Sequence, residues 1–157
     1  MTGAAPSLPP VRAVLDRSLR MPGNSRLLHS ARATPLWVIA SETAEAAAAT
    51  KLGAAGAQVI RVATDLTKPG LDLAAVLHVL HARGISRLMV EGGPILAASF
   101  VENDLVDEAV LLHGVKSVGA GGIDPLEGMP LSALTGRLTS LGSEKLDVDT
   151  IETFVRV

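Results

Sequence analysis

The 157-residue chain has no cysteine. That excludes disulfides, thiolate nucleophiles, cysteine-based zinc sites and iron–sulfur clusters together. Aromatic residues are almost as scarce: Trp37, Phe100 and Phe154 are the whole set, and tyrosine is absent. A stacking platform for single-stranded nucleic acid or for a flavin ring is therefore not expected. The net charge of −2 leaves no broad basic footprint to neutralise a run of phosphates, so no nucleic-acid partner is expected either. Long apolar runs are missing too. Ala44–Ala49 is interrupted or flanked by Glu42, Glu45 and Lys51, and it falls far short of the roughly 20 residues that a bilayer span needs. Met1–Pro10 is small and proline-rich, lacks the charged start and apolar core of a signal peptide, and is read as a flexible N-terminal segment. The expected setting is the cytoplasm, with no membrane. What the chain does hold is a 48% hydrophobic, mixed-charge composition, enough to bury a core.

Apolar runs alternate with helix-like stretches, which predicts an α/β fold: three layers, a mostly parallel sheet with helices on both faces, and an antiparallel C-terminal hairpin. Val11–Asp16 is the first strand. Leu36–Ala40 is the second, a continuous apolar run as expected where both faces are covered. Ser41 is read as an N-cap with Glu42 and Glu45 in the first turn of an alanine-rich helix running to about Gly53 or Gly56. Val59–Ala63 is a third strand and Thr64–Gly70 a loop. Leu71–Arg83 is an amphipathic helix with Leu73, Val76, Leu77 and Leu80 on one face, ended by Gly84. Arg87–Glu91 is a fourth strand, Ile95–Glu102 a helix and Val106–His113 a fifth strand. After a glycine-rich loop, Leu138–Leu146 and Thr150–Val157 form a hairpin about Asp147-Val148-Asp149. No internal repeat appears, and residues 11–157 are read as one domain.

The strongest local signal is a strand that runs into Glu91-Gly92-Gly93-Pro94 and then a helix. Two glycines let a ligand approach the backbone, and the helix start offers unpaired N–H groups and a positive dipole end to an anion. The pattern is neither the dinucleotide fingerprint nor a Walker loop. Spacing alone leaves two readings level: a phosphate cradle, or a tight turn where glycine serves packing. Other candidates are weaker. His78 and His81 lie three apart on a helix with no carboxylate or third histidine nearby, so they are read as surface histidines and no metal is expected. Asp104, Asp107 and Glu108 form a small acidic cluster read as structural.

Three blocks, Val11–Pro22, Arg87–Ser99 and Leu105–Leu112, occur in the order and at the separations found in the reductase domain of the bacterial bifunctional riboflavin-biosynthesis deaminase/reductase, which this chain resembles from Val11 onward. The resemblance implies a dihydrofolate-reductase-like fold. It implies an NADPH-dependent oxidoreductase that reduces 5-amino-6-(5-phosphoribosylamino)uracil to its ribitylamino product; a homodimer is expected because losing a front strand would leave an unpaired sheet edge for a second copy to cover. Carried over by position, Gly92, Gly93, Pro94, Ile95, Leu96, Ala97, Ala98 and Ser99 hold the cofactor phosphates. Glu91 meets the phosphorylated pyrimidine substrate. Arg17 lies at the cofactor, where a guanidinium can pair with the 2′-phosphate that distinguishes NADPH from NADH. A solvated loop charge is the alternative for Arg17.

The chain also departs from that family. Ile95 stands where the family commonly has threonine, which removes a hydroxyl, and His113-Gly114 stands where a proline usually follows the strand. The family's first strand with its lysine, the arginines for the substrate phosphate and the proposed catalytic carboxylate have no counterpart here, so the catalytic residue is unknown. The deaminase zinc motif is also missing. These gaps support a second expectation: a truncated, catalytically incompetent, nucleotide-binding remnant of the same domain.

Overall fold

The computed structural model describes residues 10–65 and 70–157. The N-terminal segment lies outside these residues except for Pro10, which is exposed. The chain divides into two compact units, unit 1 ending at Ser86 and unit 2 spanning Arg87–Val157.

In unit 1 the elements are β1 (Arg12–Leu15), α1 (Arg26–His29), β2 (Leu36–Ser41), α2 (Ala46–Ala54), β3 (Gln58–Val62), the short strands β4 (Thr64–Asp65) and β5 (Gly70–Leu71), and α3 (Leu73–Ala82). The main sheet has the order β1-β2-β3, with both pairings parallel. Central β2 is the continuous apolar run, and Leu36, Val38, Ile39 and Ala40 are all buried. Because a strand alternates its faces, Leu36 and Val38 join Leu28 and Leu52 in one cluster, while Ile39 joins Ile60, Val62, Val76 and Leu80 in another. Helices therefore cover both faces, as the unbroken run requires. Each of these buried aliphatic side chains contributes about 1.5–3 kcal/mol over an exposed one.

Three local expectations are corrected here. Ser41 does not cap α2. It is the last, buried residue of β2, paired with Val62, and its hydroxyl accepts the Thr43 N–H at 3.1 Å. The ladder claims it, and α2 starts five residues later behind Glu45 with no acidic residue in its first turn. Thr64–Gly70 is not wholly a loop, since Thr64–Asp65 pairs antiparallel with Gly70–Leu71; positions 66–69 lie outside the described residues. The third helix begins at Leu73 because the Asp72 carboxylate accepts the Ala75 N–H at 3.0 Å. Its end is as expected: Gly84 takes φ +87° just past the Arg83 cap.

Unit 2 contains α4 (Pro94–Glu102), β6 (Glu108–His113), a 3₁₀ turn at Gly119–Gly121, α5 (Ser132–Thr135), β7 (Thr139–Leu146) and β8 (Asp149–Val155). Its sheet is antiparallel with the order β6-β8-β7. Leu146 pairs with Asp149, so the hairpin turn is Asp147-Val148, with Asp147 at φ 57°. Ala98, Phe100, Val101, Ala109 and Leu126 supply its buried side chains.

The expected fourth strand is the main correction. Arg87–Glu91 pairs with no strand among the described residues, and Met89 is 80% exposed. The run has the composition of a strand, but β structure exists only where a neighbour takes its N–H and C=O groups. The architecture is otherwise the expected α/β class, with a helix-covered parallel sheet and an antiparallel C-terminal end.

Candidate cofactor-phosphate turn

The turn before α4 uses its two glycines differently. Gly93 sits at φ 86°, ψ 179°, a region essentially reserved for glycine, and its absent Cβ would point into open space. At Gly92 a Cβ would collide with the Leu96 side chain, so that glycine is needed for packing. Pro94 opens the helix where its missing N–H costs nothing. The first helical bond runs from the Ala97 N–H to the Gly93 carbonyl at 3.0 Å. The N–H groups of Gly93, Ile95 and Leu96 have no acceptor among the described residues, and no side chain caps the helix. By contrast, Ser25 caps α1 and Asp72 caps α3. Three backbone donors at the positive end of a helix, beside a backbone that no side chain screens, suit an anion.

The other expected residues fall into distinct environments. Ile95 is 69% exposed beside the turn, Pro94, Leu96 and Ala97 are half-buried, and Ala98 faces the unit's interior. The Ser99 hydroxyl donates to the Ile95 carbonyl at 2.8 Å, so it is engaged within its own helix. Glu91 is exposed, directly before the glycines. These residues share one turn and helix, whereas Arg17 belongs to unit 1. There it is exposed in the turn after β1, and its carbonyl accepts the Ser41 N–H at 3.0 Å. That turn is a strained one: buried Leu19 has φ 56°, and Asp16 Oδ2 accepts the Met21 N–H at 2.7 Å.

The far end of α4 carries a polar cluster that sequence reasoning read only as acidic residues. Arg156 Nη2 donates to Asp104 Oδ1 at 2.9 Å, and Arg137 Nη1 approaches the same oxygen at 3.6 Å. The Arg156 hydrogen bond, and then the charges of Arg156 and Arg137, hold the Asp104 carboxyl below its ordinary value. Glu108 pairs with Arg87 instead. The only sequence signal was an aspartate just past a helix end, since its partners lie 33 and 52 residues further on. His78 and His81 are both exposed on α3, and the described residues contain no group of three or more His, Asp or Glu side chains placed to hold a metal. Among the described residues no helix is long and apolar enough to cross a membrane.

Known structures share this fold. The chain is similar to a pyrimidine reductase-like protein from Corynebacterium diphtheriae, with a TM-score of 0.69 and 22% identity over 94% of this chain and 61% of that one. It is also similar to the Thermotoga maritima diaminohydroxyphosphoribosylaminopyrimidine deaminase/5-amino-6-(5-phosphoribosylamino)uracil reductase, with a TM-score of 0.68 and 20% identity over 94% and 38%. These reductases have the dihydrofolate-reductase-like fold, and so does this chain. The profile of the RibD C-terminal domain matches residues 2–151, and the chain belongs to that family. Among sequence relatives, the 2,5-diamino-6-ribosylamino-4(3H)-pyrimidinone 5′-phosphate reductase of Archaeoglobus fulgidus is 33% identical over 70% of this chain and 47% of its own length. The enzyme of that name from Methanothermobacter thermautotrophicus is 37% identical over 67% and 45%. The chain spans about half the length of the curated relatives it matches.

Proposed function

We propose that residues 11–157 are the cofactor-binding portion of a pyrimidine reductase domain of riboflavin biosynthesis. The reaction is reduction of the ribosyl group of a phosphorylated ribosylaminopyrimidine, 5-amino-6-(5-phosphoribosylamino)uracil or its 2,5-diamino counterpart, to a ribityl chain. The relatives' names support this substrate class. NADPH, when bound, supplies the hydride. The residues of this chain supply grip and orientation: the Gly93, Ile95 and Leu96 N–H groups take the pyrophosphate, and Glu91 orients the substrate. Arg17 pairs with the adenosine 2′-phosphate, which gives the preference for NADPH over NADH. Gly92, Pro94, Ala97, Ala98 and Ser99 hold the turn and helix in shape. The observation that carries the reading is Gly93 in a glycine-only conformation, opening onto free space beside uncapped helix N–H groups.

The setting we propose is a cytoplasmic homodimer. Support for association is the exposure of Val110 and Leu112 on β6, which share one sheet face. Fluorescence titration with NADPH, followed by turnover with the phosphorylated pyrimidine, tests the function. Saturable binding with turnover supports the enzyme. Binding without turnover favours the nucleotide-binding remnant, and absence of binding overturns the reading of the turn.

A further inference from the structure

Three helices of this chain end on the same backbone motif. In α2, α3 and α4 the N–H two residues past the cap returns to the carbonyl five residues back. These bonds are Ala57 to Leu52 and Ile85 to Leu80, each 3.1 Å, and Leu105 to Phe100 at 3.0 Å. In all three the residue between is left-handed, with φ 106° at Gly56, 87° at Gly84 and 56° at Asp104. Glycine adopts that conformation without a Cβ penalty, whereas another L residue there costs on the order of 1 kcal/mol. An aspartate at the third helix end therefore calls for something its side chain does.

The side chain binds both arginines that close this end of the helix. Arg156 donates to Oδ1 at 2.9 Å and to Oδ2 at 3.3 Å, and Arg137 lies 3.6 Å from Oδ1. The same guanidiniums continue to backbone carbonyls: Arg137 to Val101 at 2.7 Å, and Arg156 to Asp104 at 3.2 Å and Val106 at 2.8 Å. Asp107 is the other carboxylate here, 3.4 Å from Arg156 Nε. Backbone reinforces the tie, since the Arg156 N–H donates to the Asp107 carbonyl at 2.7 Å. Nine-residue α4 is a rod of about 14 Å. Its carboxyl end is thus fixed to the end of β8, while its amino end is the bare Gly93 turn.

We infer that Asp104 is a positioning residue for the cofactor-phosphate turn: through Arg137 and Arg156 it anchors the carboxyl end of α4 and so sets where the Gly93, Ile95 and Leu96 N–H groups point. The inference rests on the proposal that this turn takes the NADPH phosphates.

NADPH titration of wild type, Asp104→Gly, Asp104→Asn and Gly93→Val tests it, with circular dichroism confirming helix content. Asp104→Gly removes the clamp but relieves the left-handed strain, so the helix end stays formed, as it does at Gly56 and Gly84. It should bind NADPH about three- to tenfold more weakly at an unchanged or raised melting temperature. Asp104→Asn keeps an acceptor of the same shape, tolerates the left-handed conformation, and should recover most of that loss. A purely structural role would tie affinity to melting temperature, so Asp104→Gly would then bind as tightly as wild type at its unchanged or raised melting temperature. If wild type binds and Gly93→Val does not, yet Asp104→Gly binds as tightly as wild type, the positioning role is overturned and the turn reading stands. If wild type itself does not bind NADPH, both fall.

Discussion

The two units bury their side chains very differently. Leu36, Ile39, Val38 and Val76, the largest side chains wholly removed from solvent, all lie in unit 1. Unit 2 instead leaves Val110, Leu112, Leu141 and Leu146 exposed along its sheet, and β7 is exposed throughout. One region is a helix-covered parallel core, and the other presents a turn and holds it with arginines. Stability and ligand binding should therefore respond to different mutations, and the comparison fails if they do not. Trp37, the only tryptophan, lies on β2 and reports unit 1 directly.

The largest effect is expected in the core. Ile39→Ala leaves a cavity between β2 and α3 and should cost about 2–5 kcal/mol in urea unfolding followed by Trp37 fluorescence. A loss below about 1 kcal/mol would mean that the buried cluster is looser than its packing indicates. In unit 2, Gly93→Val forces a β-branched residue into glycine-only backbone at a strain of about 1–3 kcal/mol and covers the bare N–H groups. NADPH affinity should fall about 100-fold or more, with the Trp37 unfolding midpoint unchanged. A shifted midpoint with intact affinity would reverse the roles assigned to the two units.

The Asp104 clamp gives a smaller effect with a defined sign. Its carboxyl is held below the ordinary 3.8, chiefly by the Arg156 hydrogen bond. The stability this contributes is fully present above 3.8 and is lost as pH falls below it through the folded-state value. Wild type should therefore melt above Asp104→Asn near about pH 6, and the gap should narrow as pH falls below 3.8. An equal gap at both ends would show that the charge plays no part. The smallest change is Ile95→Thr, on an exposed side chain beside the turn. It should tighten NADPH binding about two- to threefold by adding a hydroxyl donor, and move stability by no more than about 0.5 kcal/mol.

The same contrast explains what could be read from the sequence. The β2 run, the Gly84 helix end and the turn near Asp147 were legible because each follows from local periodicity or from a residue with one conformational use. The Gly92–Pro94 turn was legible as a shape, though not as the division of labour in which Gly93 serves the backbone and Gly92 makes room for Leu96. Arg87–Glu91 has strand composition but no pairing partner among the described residues, and no local pattern reports whether a strand has a neighbour. Ser41 looked like a cap because the β3 ladder that claims it comes later in the chain. The Asp104 cluster joins residues up to 52 positions apart, so only the fold brings it together. Arg17 was carried over from family position alone, and its side chain is exposed in the turn after β1.

The central claim is that the Gly93 turn grips the cofactor's phosphates, and NADPH titration of wild type beside Gly93→Val tests it most directly. The account predicts saturable binding by wild type and about 100-fold or greater loss in the variant at unchanged Trp37 stability. Equal affinity in the two proteins, or no saturation by wild type, would contradict it.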